Sequence, residues 1–311
     1  MRIVVLDGFT ANPGDLSWAE IEALGEVKVY DRTEEKDIAS RAKDADAVLL
    51  NKCPMTRETM QQLKNLKYIG VLATGYNVVD TAYAKEAGIV VTNIPAYSTE
   101  SVAQHVFSLI LEIASHVGAH SEACLSGAWE NSRDFSFWNY PLTELSGKTL
   151  GIIGYGAIGQ RVKRIADAFG MNVISYSPSK NPIETLEKIY KESDVISLNC
   201  PLKDDNKEMI SARSIEKMKK GVWIINTARG GLVNEKDVKD ALLSGKIGWF
   251  AADVVSVEPI RHDNPLLTAP NVILTPHIAW APLEARSRLM KIAADNLKNF
   301  MAGTIVNCVN V

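Results

Sequence analysis

The stretch Thr149-Leu150-Gly151-Ile152-Ile153-Gly154-Tyr155-Gly156-Ala157-Ile158-Gly159 decides how the rest of the chain is read. Its first part is a short apolar run with strand character. Gln160-Arg161-Val162-Lys163-Arg164-Ile165-Ala166 then continues with helical character. Three glycines fall between them at the spacing of a dinucleotide-binding turn. Gly154 permits the tight strand-to-helix turn, Gly156 lets backbone approach a pyrophosphate, and Gly159 lets the helix pack closely on the sheet. The phosphates of such a ligand sit on the helix N-terminus, where unpaired N–H groups and the helix dipole favour anions.

Outward from this turn, short β-branched runs alternate with helix-like stretches. Residues 4–6, 27–30, 47–50, 68–72 and 89–92 read as strands before the turn; 172–176, 194–198, 222–226, 249–253 and 272–274 read as strands after it. Strands alternating with helices predict parallel sheets wrapped by helices. Between the two runs, residues 98–117 read as one long apolar helix capped by Ser98 or Thr99. Residues 118–146 are rich in Gly, Ser, Asn and aromatics and read as a long loop, a functional segment or an interface arm. Residues 282–303 read as a closing helix with Leu289, Ile292, Ala293, Leu297 and Phe300 on one face.

The 311 residues suffice for two domains, and 34 basic against 37 acidic residues leave a net charge of −3. Neither nucleic acid nor an anionic membrane surface is indicated by that balance. The basic run Lys217, Lys219 and Lys220 reads as a solvated helix end. No apolar stretch is long enough for a membrane span, and Met1–Asp7 runs straight into a strand pattern without a signal-peptide core. Cys53, Cys124, Cys200 and Cys308 are scattered, which predicts free thiols, no zinc site and a reducing, cytoplasmic setting. Cys200 follows an apolar strand and reads as a small strand-end residue, not a nucleophile.

An acid normally ends the second strand of a dinucleotide fold and binds the ribose hydroxyls. Here that place falls in Tyr176-Ser177-Pro178-Ser179-Lys180, with Ser177 in the acid's position. A serine can hydrogen-bond a ribose hydroxyl without repelling a 2′-phosphate, and Lys180 could attract one. Both NAD(H) and NADP(H) therefore stay open.

Three later residues stand at strand ends: Arg229 in Asn226-Thr227-Ala228-Arg229-Gly230-Gly231, Glu258 after Asp253-Val254-Val255-Ser256-Val257, and His277 in Thr275-Pro276-His277-Ile278-Ala279-Trp280. Ligands of open parallel sheets bind outside the carboxyl ends of the strands. Oxidising a 2-hydroxy acid needs a base for the hydroxyl proton, and histidine exchanges protons near neutrality. A carboxylate such as Glu258 would favour the charged ring and fix its tautomer. Arg229 offers planar donors for a substrate carboxylate. His105, His116, His120 and His262 have no such context, and no spacing suggests a metal.

Taken together, these motifs resemble the D-isomer-specific 2-hydroxyacid dehydrogenase family over essentially the whole chain. The resemblance implies an α/β fold of two Rossmann-like domains with parallel sheets, a flavodoxin-like substrate domain and an NAD(P)-binding domain. Residues 1–98 and 283–311 would form the first, and residues 99–282 the second, with a dimerisation arm at about 117–140. It implies Arg229, Glu258 and His277 as catalytic residues. Gly154, Gly156, Ala157, Ile158, Gly159, Ser177, Cys200, Pro201, Thr227, Ala228, Arg229, Asp253 and His277 would line the cofactor, with NAD favoured. Thr74, Gly75 and Tyr76, with Arg229 and His277, would hold the substrate, the loop Ala73–Asn77 offering backbone N–H groups to its carboxylate. Residues 135–141 and 277–280 are most similar to the glycerate dehydrogenase (hydroxypyruvate reductase) branch. The implied reaction is hydride transfer between NAD(P)(H) and a small D-2-hydroxy or 2-keto acid, D-glycerate and hydroxypyruvate first, glyoxylate and glycolate next. The implied assembly is a homodimer without the regulatory domain of the longer phosphoglycerate-oxidising relatives. A nucleotide-sensing co-regulator of the same fold is the alternative.

Overall fold

The computed structural model describes residues 1–310, and the chain divides into two compact units. Met1–Ser98 and the chain from Ala281 onward form the first; Thr99–Trp280 forms the second.

The first unit holds strands β1 (Arg2–Val5), β2 (Glu26–Val29), β3 (Ala47–Leu50), β4 (Tyr68–Val71) and β5 (Val90–Thr92). All neighbours pair parallel, in the order β2-β1-β3-β4-β5. The central strands β3 and β4 are buried throughout, as parallel strands covered on both faces must be. Short helices α1 (Ala19–Glu22), α2 (Ile38–Ala42), α3 (Arg57–Gln61) and α4 (Thr81–Glu86) fill the crossovers. The closing helix (Leu283–Met301, named α11 in chain order) buries Leu289, Met290, Ala293 and Leu297 in this unit. Its first turn is tied down by Arg286, whose two terminal nitrogens donate to Asp15 at 2.7 and 2.6 Å. This forked pairing holds the Asp15 carboxyl below its usual value.

The second unit carries α5 (Thr99–Ser115) and α6 (Val117–Leu125), then β6 (Thr149–Ile153), α7 (Ala157–Ala168), β7 (Asn172–Tyr176), α8 (Ile183–Glu192) and β8 (Val195–Leu198). After these come α9 (Ala212–Glu216), β9 (Val222–Asn226), α10 (Glu235–Leu243), β10 (Ile247–Ala252) and β11 (Val272–Leu274). The sheet is parallel, in the order β11-β10-β9-β8-β6-β7. The chain leaves β6 for β7 on one side and returns to β8 on the other. The β6/β8 junction is therefore the topological switch point, where such sheets bind ligands. No single helix among the described residues is long and apolar enough to cross a membrane.

The long helix differs from its sequence expectation. It ends at Ser115, and α6 occupies the start of the stretch read as loop, bent by 55° from α5. The break is His116, at φ 48 and 5% exposed, its ring 4.6 Å from that of Tyr140 and 5.0 Å from that of Trp249. These partners are distant in sequence, so no local signal announces the turn. Burial holds the His116 imidazole below its usual value, with His120 adding to the effect and Glu112 opposing it. The unfolded chain thus gains this proton at higher pH than the folded chain, so stability falls as pH drops below about 6.5. His116→Asn keeps a residue tolerant of left-handed backbone and removes that titration. Its Tm deficit against the parent is expected to be larger at about pH 7.5 than at about pH 5.5. An equal deficit at both would refute the assignment.

Candidate active site

The glycine turn sits at the switch point for steric reasons. Gly154 has φ 100, and a Cβ there would lie 2.5 Å from the carbonyl carbon of Asn199 and the nitrogen of Cys200, just past β8. A Cβ on Gly159 would lie 2.1 Å from the Gly154 oxygen, so α7 can pack onto its own turn only with glycine there. Gly156 behaves differently. It precedes α7 with extended backbone, and a Cβ would meet nothing within 4 Å. The open space above Gly156 and the exposed first residue of α7, Ala157, leave the helix N-terminus accessible to an anion. Ile158 is half-buried and packs against the core beneath.

The strand ends around this turn also fit a dinucleotide. Thr227 Oγ1, just after β9, and Asn199 Oδ1, just after β8, are shut off from solvent without a hydrogen-bond partner among the described residues. Buried polar atoms are normally satisfied, so orphans at a ligand crevice point to a polar ligand. Cys200 is half-buried, and burial pushes its thiol up to about 11, which keeps it neutral and unreactive. Pro201 is exposed beside it, and Ala228 is half-buried beside Thr227. Ser177 closes a turn after β7: its N–H donates to Asn181 Oδ1 at 3.0 Å, and its carbonyl accepts from Lys180 and Asn181, both at 2.9 Å. Lys180 is exposed and in no ion pair among the described residues.

The candidate chemical groups lie at neighbouring strand ends of the same unit. Asn226, fully buried at the end of β9, accepts from Ala228 N at 3.1 Å and donates to Arg229 O at 2.9 Å. That fold-back sets the direction of Arg229, which is exposed and donates from Nη1 to Ala228 O at 2.6 Å. Gly230 follows because a Cβ there would strike the Val255 carbonyl carbon at 1.9 Å. The Arg229 loop is thereby pressed onto the loop that carries Glu258, where Val255 N donates to Glu258 Oε1 at 3.3 Å.

His277 Nδ1 and Glu258 Oε2 are 2.7 Å apart, both side chains about one-third exposed, at 31% and 34%. Spent on the carboxylate, Nδ1 leaves Nε2 for a substrate. The backbone at His277 is left-handed, φ 55, so something must hold it. The holder is Asp253, 1% exposed just past β10. Its Oδ1 accepts from Thr275 Oγ1 at 2.5 Å and from Ile278 N at 2.9 Å; its Oδ2 accepts from Ala279 N at 2.8 Å. Among the described residues no group of His, Cys, Asp and Glu is arranged to hold a metal.

Thr74, Gly75 and Tyr76 belong to the first unit, in the loop after β4. Thr74 Oγ1 donates to Ile94 O and Thr74 O accepts from Asn93 Nδ2, both at 2.8 Å. Tyr76 is 40% exposed. The other candidates lie in the second unit. No sequence pattern marks Asn226, or His105, whose Nε2 lies 3.0 Å from Thr275 Oγ1. Only its polarity on an otherwise apolar helix face could have marked it.

A glycine turn after β6 at a switch point, with a histidine–carboxylate pair past the ends of β10 and β11 of the same sheet, defines a dinucleotide-dependent oxidoreductase. The family model described as D-isomer specific 2-hydroxyacid dehydrogenase, NAD binding domain, matches residues 107–279. The hydroxypyruvate reductase of Blautia hydrogenotrophica is 52% identical over 321 aligned positions, covering 100% of both chains. The glycerate dehydrogenase of Methylorubrum extorquens is 41% identical, covering 95% of each. The solved structure of D-lactate dehydrogenase from Aquifex aeolicus, complexed with NAD and lactic acid, superposes with TM-score 0.85 at 30% identity, covering 100% of this chain and 99% of that one. The chain belongs to the D-isomer-specific 2-hydroxyacid dehydrogenase family and is an oxidoreductase acting on D-2-hydroxy acids with a nicotinamide dinucleotide.

Gly156 separates binding from folding. Gly156→Val places a side chain in open space, so Tm should move by less than about 2 °C, while the Kd for NADH measured by fluorescence titration should rise at least about tenfold. Unchanged affinity would mean that the pyrophosphate does not approach this backbone.

Proposed function

We propose that the chain interconverts short 2-keto acids and D-2-hydroxy acids, hydroxypyruvate and D-glycerate first and glyoxylate next. His277 is the acid/base, Glu258 its partner, and Arg229 the binder of the substrate carboxylate. The observation that carries this reading is the 2.7 Å contact between His277 Nδ1 and Glu258 Oε2.

The chemistry follows from the residue types. When bound, the reduced nicotinamide supplies hydride to C2 of the keto acid. Arg229 engages the substrate carboxylate through paired planar donors and so fixes which carbon faces the cofactor. His277, charged and held by Glu258, gives its Nε2 proton to the oxygen that becomes the hydroxyl. In the reverse direction Nε2 takes that proton back. Glu258 holds the ring in one orientation and offsets the imidazolium charge. The name of the Blautia hydrogenotrophica relative supports hydroxypyruvate as the leading substrate.

The homodimer belongs to the same proposal. The segment after α5 exposes Val117, Leu125, Trp129, Phe135 and Trp138, at 64%, 87%, 56%, 90% and 66%. An apolar surface of this kind favours burial against a second copy. A cytoplasmic location is proposed with it, in keeping with four free cysteines.

A keto-acid panel assayed with NADH and with NADPH tests the substrate and the cofactor together. The kcat/KM is expected to be highest for hydroxypyruvate and to fall by about 10- to 200-fold for each added methylene. With no carboxylate at Ser177 to repel a 2′-phosphate, NADPH is expected to support turnover within about tenfold of NADH. Absence of turnover on every short keto acid would contradict the proposal. Complete rejection of NADPH would contradict the role given to Ser177.

A further inference from the structure

His105 lies on α5, among Val102, Val106 and Leu109, which are buried. Its side chain is only 18% exposed. An apolar residue would suit that face better on burial grounds alone, since a buried ring nitrogen must be hydrogen-bonded to offset its lost hydration. The partner is Thr275 Oγ1, 3.0 Å from His105 Nε2, and Asp253 Oδ1 lies 3.5 Å from the same nitrogen.

Proton counting fixes the direction of these bonds. Asp253 accepts from the N–H groups of Ile278 and Ala279, and Thr275 Oγ1 lies 2.5 Å from Oδ1. A carboxylate has no proton to give, so the hydroxyl proton of Thr275 points to Asp253. A hydroxyl has one proton and two lone pairs. Thr275 can therefore only accept from His105, whose Nε2 must carry hydrogen.

We propose that His105 is a positioning residue: its Nε2–H donates to Thr275, Thr275 donates to Asp253, and this chain of bonds fixes the turn 275–279 that presents His277. The carboxylate anchors the turn on both sides of His277, through the Thr275 hydroxyl before it and the Ile278 and Ala279 amides after it. His277 N also donates to Thr275 O at 3.0 Å, so the orientation of Thr275 passes directly to the residue with left-handed backbone. Without His105, the Thr275 hydroxyl loses the donor that holds its rotamer, and the anchor before His277 loosens while those after it remain. The proposal rests on the reading of His277 as the acid/base.

Two substitutions and one spectrum test it. His105→Leu keeps an apolar fit and removes the donor. It should lower kcat on hydroxypyruvate by about 5- to 50-fold, as small misplacements of a reacting group do, and change KM by less than about threefold. His105→Gln restores an N–H donor near the position of Nε2 and should return kcat to within about threefold of the parent. In the parent protein, 15N-edited NMR of the histidine side chains should show His105 carrying hydrogen on Nε2, a signal absent in His105→Gln.

A parental kcat in His105→Leu overturns the proposal, as does a His105→Gln variant as slow as His105→Leu. If His105→Leu does not fold, the spectrum of the parent decides: a His105 ring with hydrogen on Nδ1 alone overturns the proposal, and hydrogen on Nε2 supports it. Failure of the acid/base reading looks different. It would appear as near-normal turnover in His277→Gln, with the Nε2–H signal of His105 intact.

Discussion

The second unit depends on one buried charge. Asp253, 1% exposed just past β10, is surrounded by the Thr275 hydroxyl and the amides of Ile278 and Ala279. Removing a carboxylate from water costs several kcal/mol, and charge-assisted hydrogen bonds of about 1.5–3 kcal/mol each offset that cost only when all the donors arrive together. The donors come from one short turn, so the turn has one position relative to the sheet. His277 sits in that turn with φ 55, left-handed backbone that few residues other than glycine adopt. The buried charge thus supplies the constraint, and the histidine accepts the strain. The exposed Glu258 then has only the ring orientation left to determine.

The two sheets have the same switch point and use it in opposite ways. In the first unit the crevice between β1 and β3 is closed by the protein's own anion. The Asp7 carboxylate accepts from the backbone nitrogens of Asn51, Lys52 and Cys53 at 2.7, 2.5 and 3.1 Å. Burial, with Asp7 beside it, pushes the Cys53 thiol up to about 12. In the second unit the equivalent place holds no acid, and Gly156 leaves open space at a helix N-terminus. A parallel sheet of this order gathers N–H groups at its switch point. A built-in aspartate satisfies them in one case, and in the other the N-terminus of α7 faces the open space over Gly156, where a ligand's phosphates fit.

Much of this was legible in the sequence because it depends on short-range patterns. The strands appear within a residue or two of their predicted places, since β3, β4 and β8 are buried throughout and read as unbroken apolar runs. Arg229, Glu258 and His277 stand out as candidates because each lies a few residues past the end of a strand, β9, β10 and β11 in turn. The polar residues that support them do not. Thr275 lies 170 residues from His105, and Asn51 lies 44 from Asp7, so neither partnership leaves a periodic or local trace. The break at His116 escaped for the same reason, because Trp249 helps to hold its ring. Ser177 is a different case. Its departure from the usual acid was plain in the sequence, and the turn it closes with Asn181 adds no carboxylate there.

The central claim is that His277 and Glu258 work as one proton-transferring unit, and a double-mutant cycle on kcat tests it most directly. Groups that act as a unit have strongly non-additive effects. With His277 replaced by Gln, the further change Glu258→Gln should lower kcat by less than about threefold, although Glu258→Gln alone lowers it by more than about tenfold. If the two losses multiply in the double variant, the residues act independently and the claim is wrong.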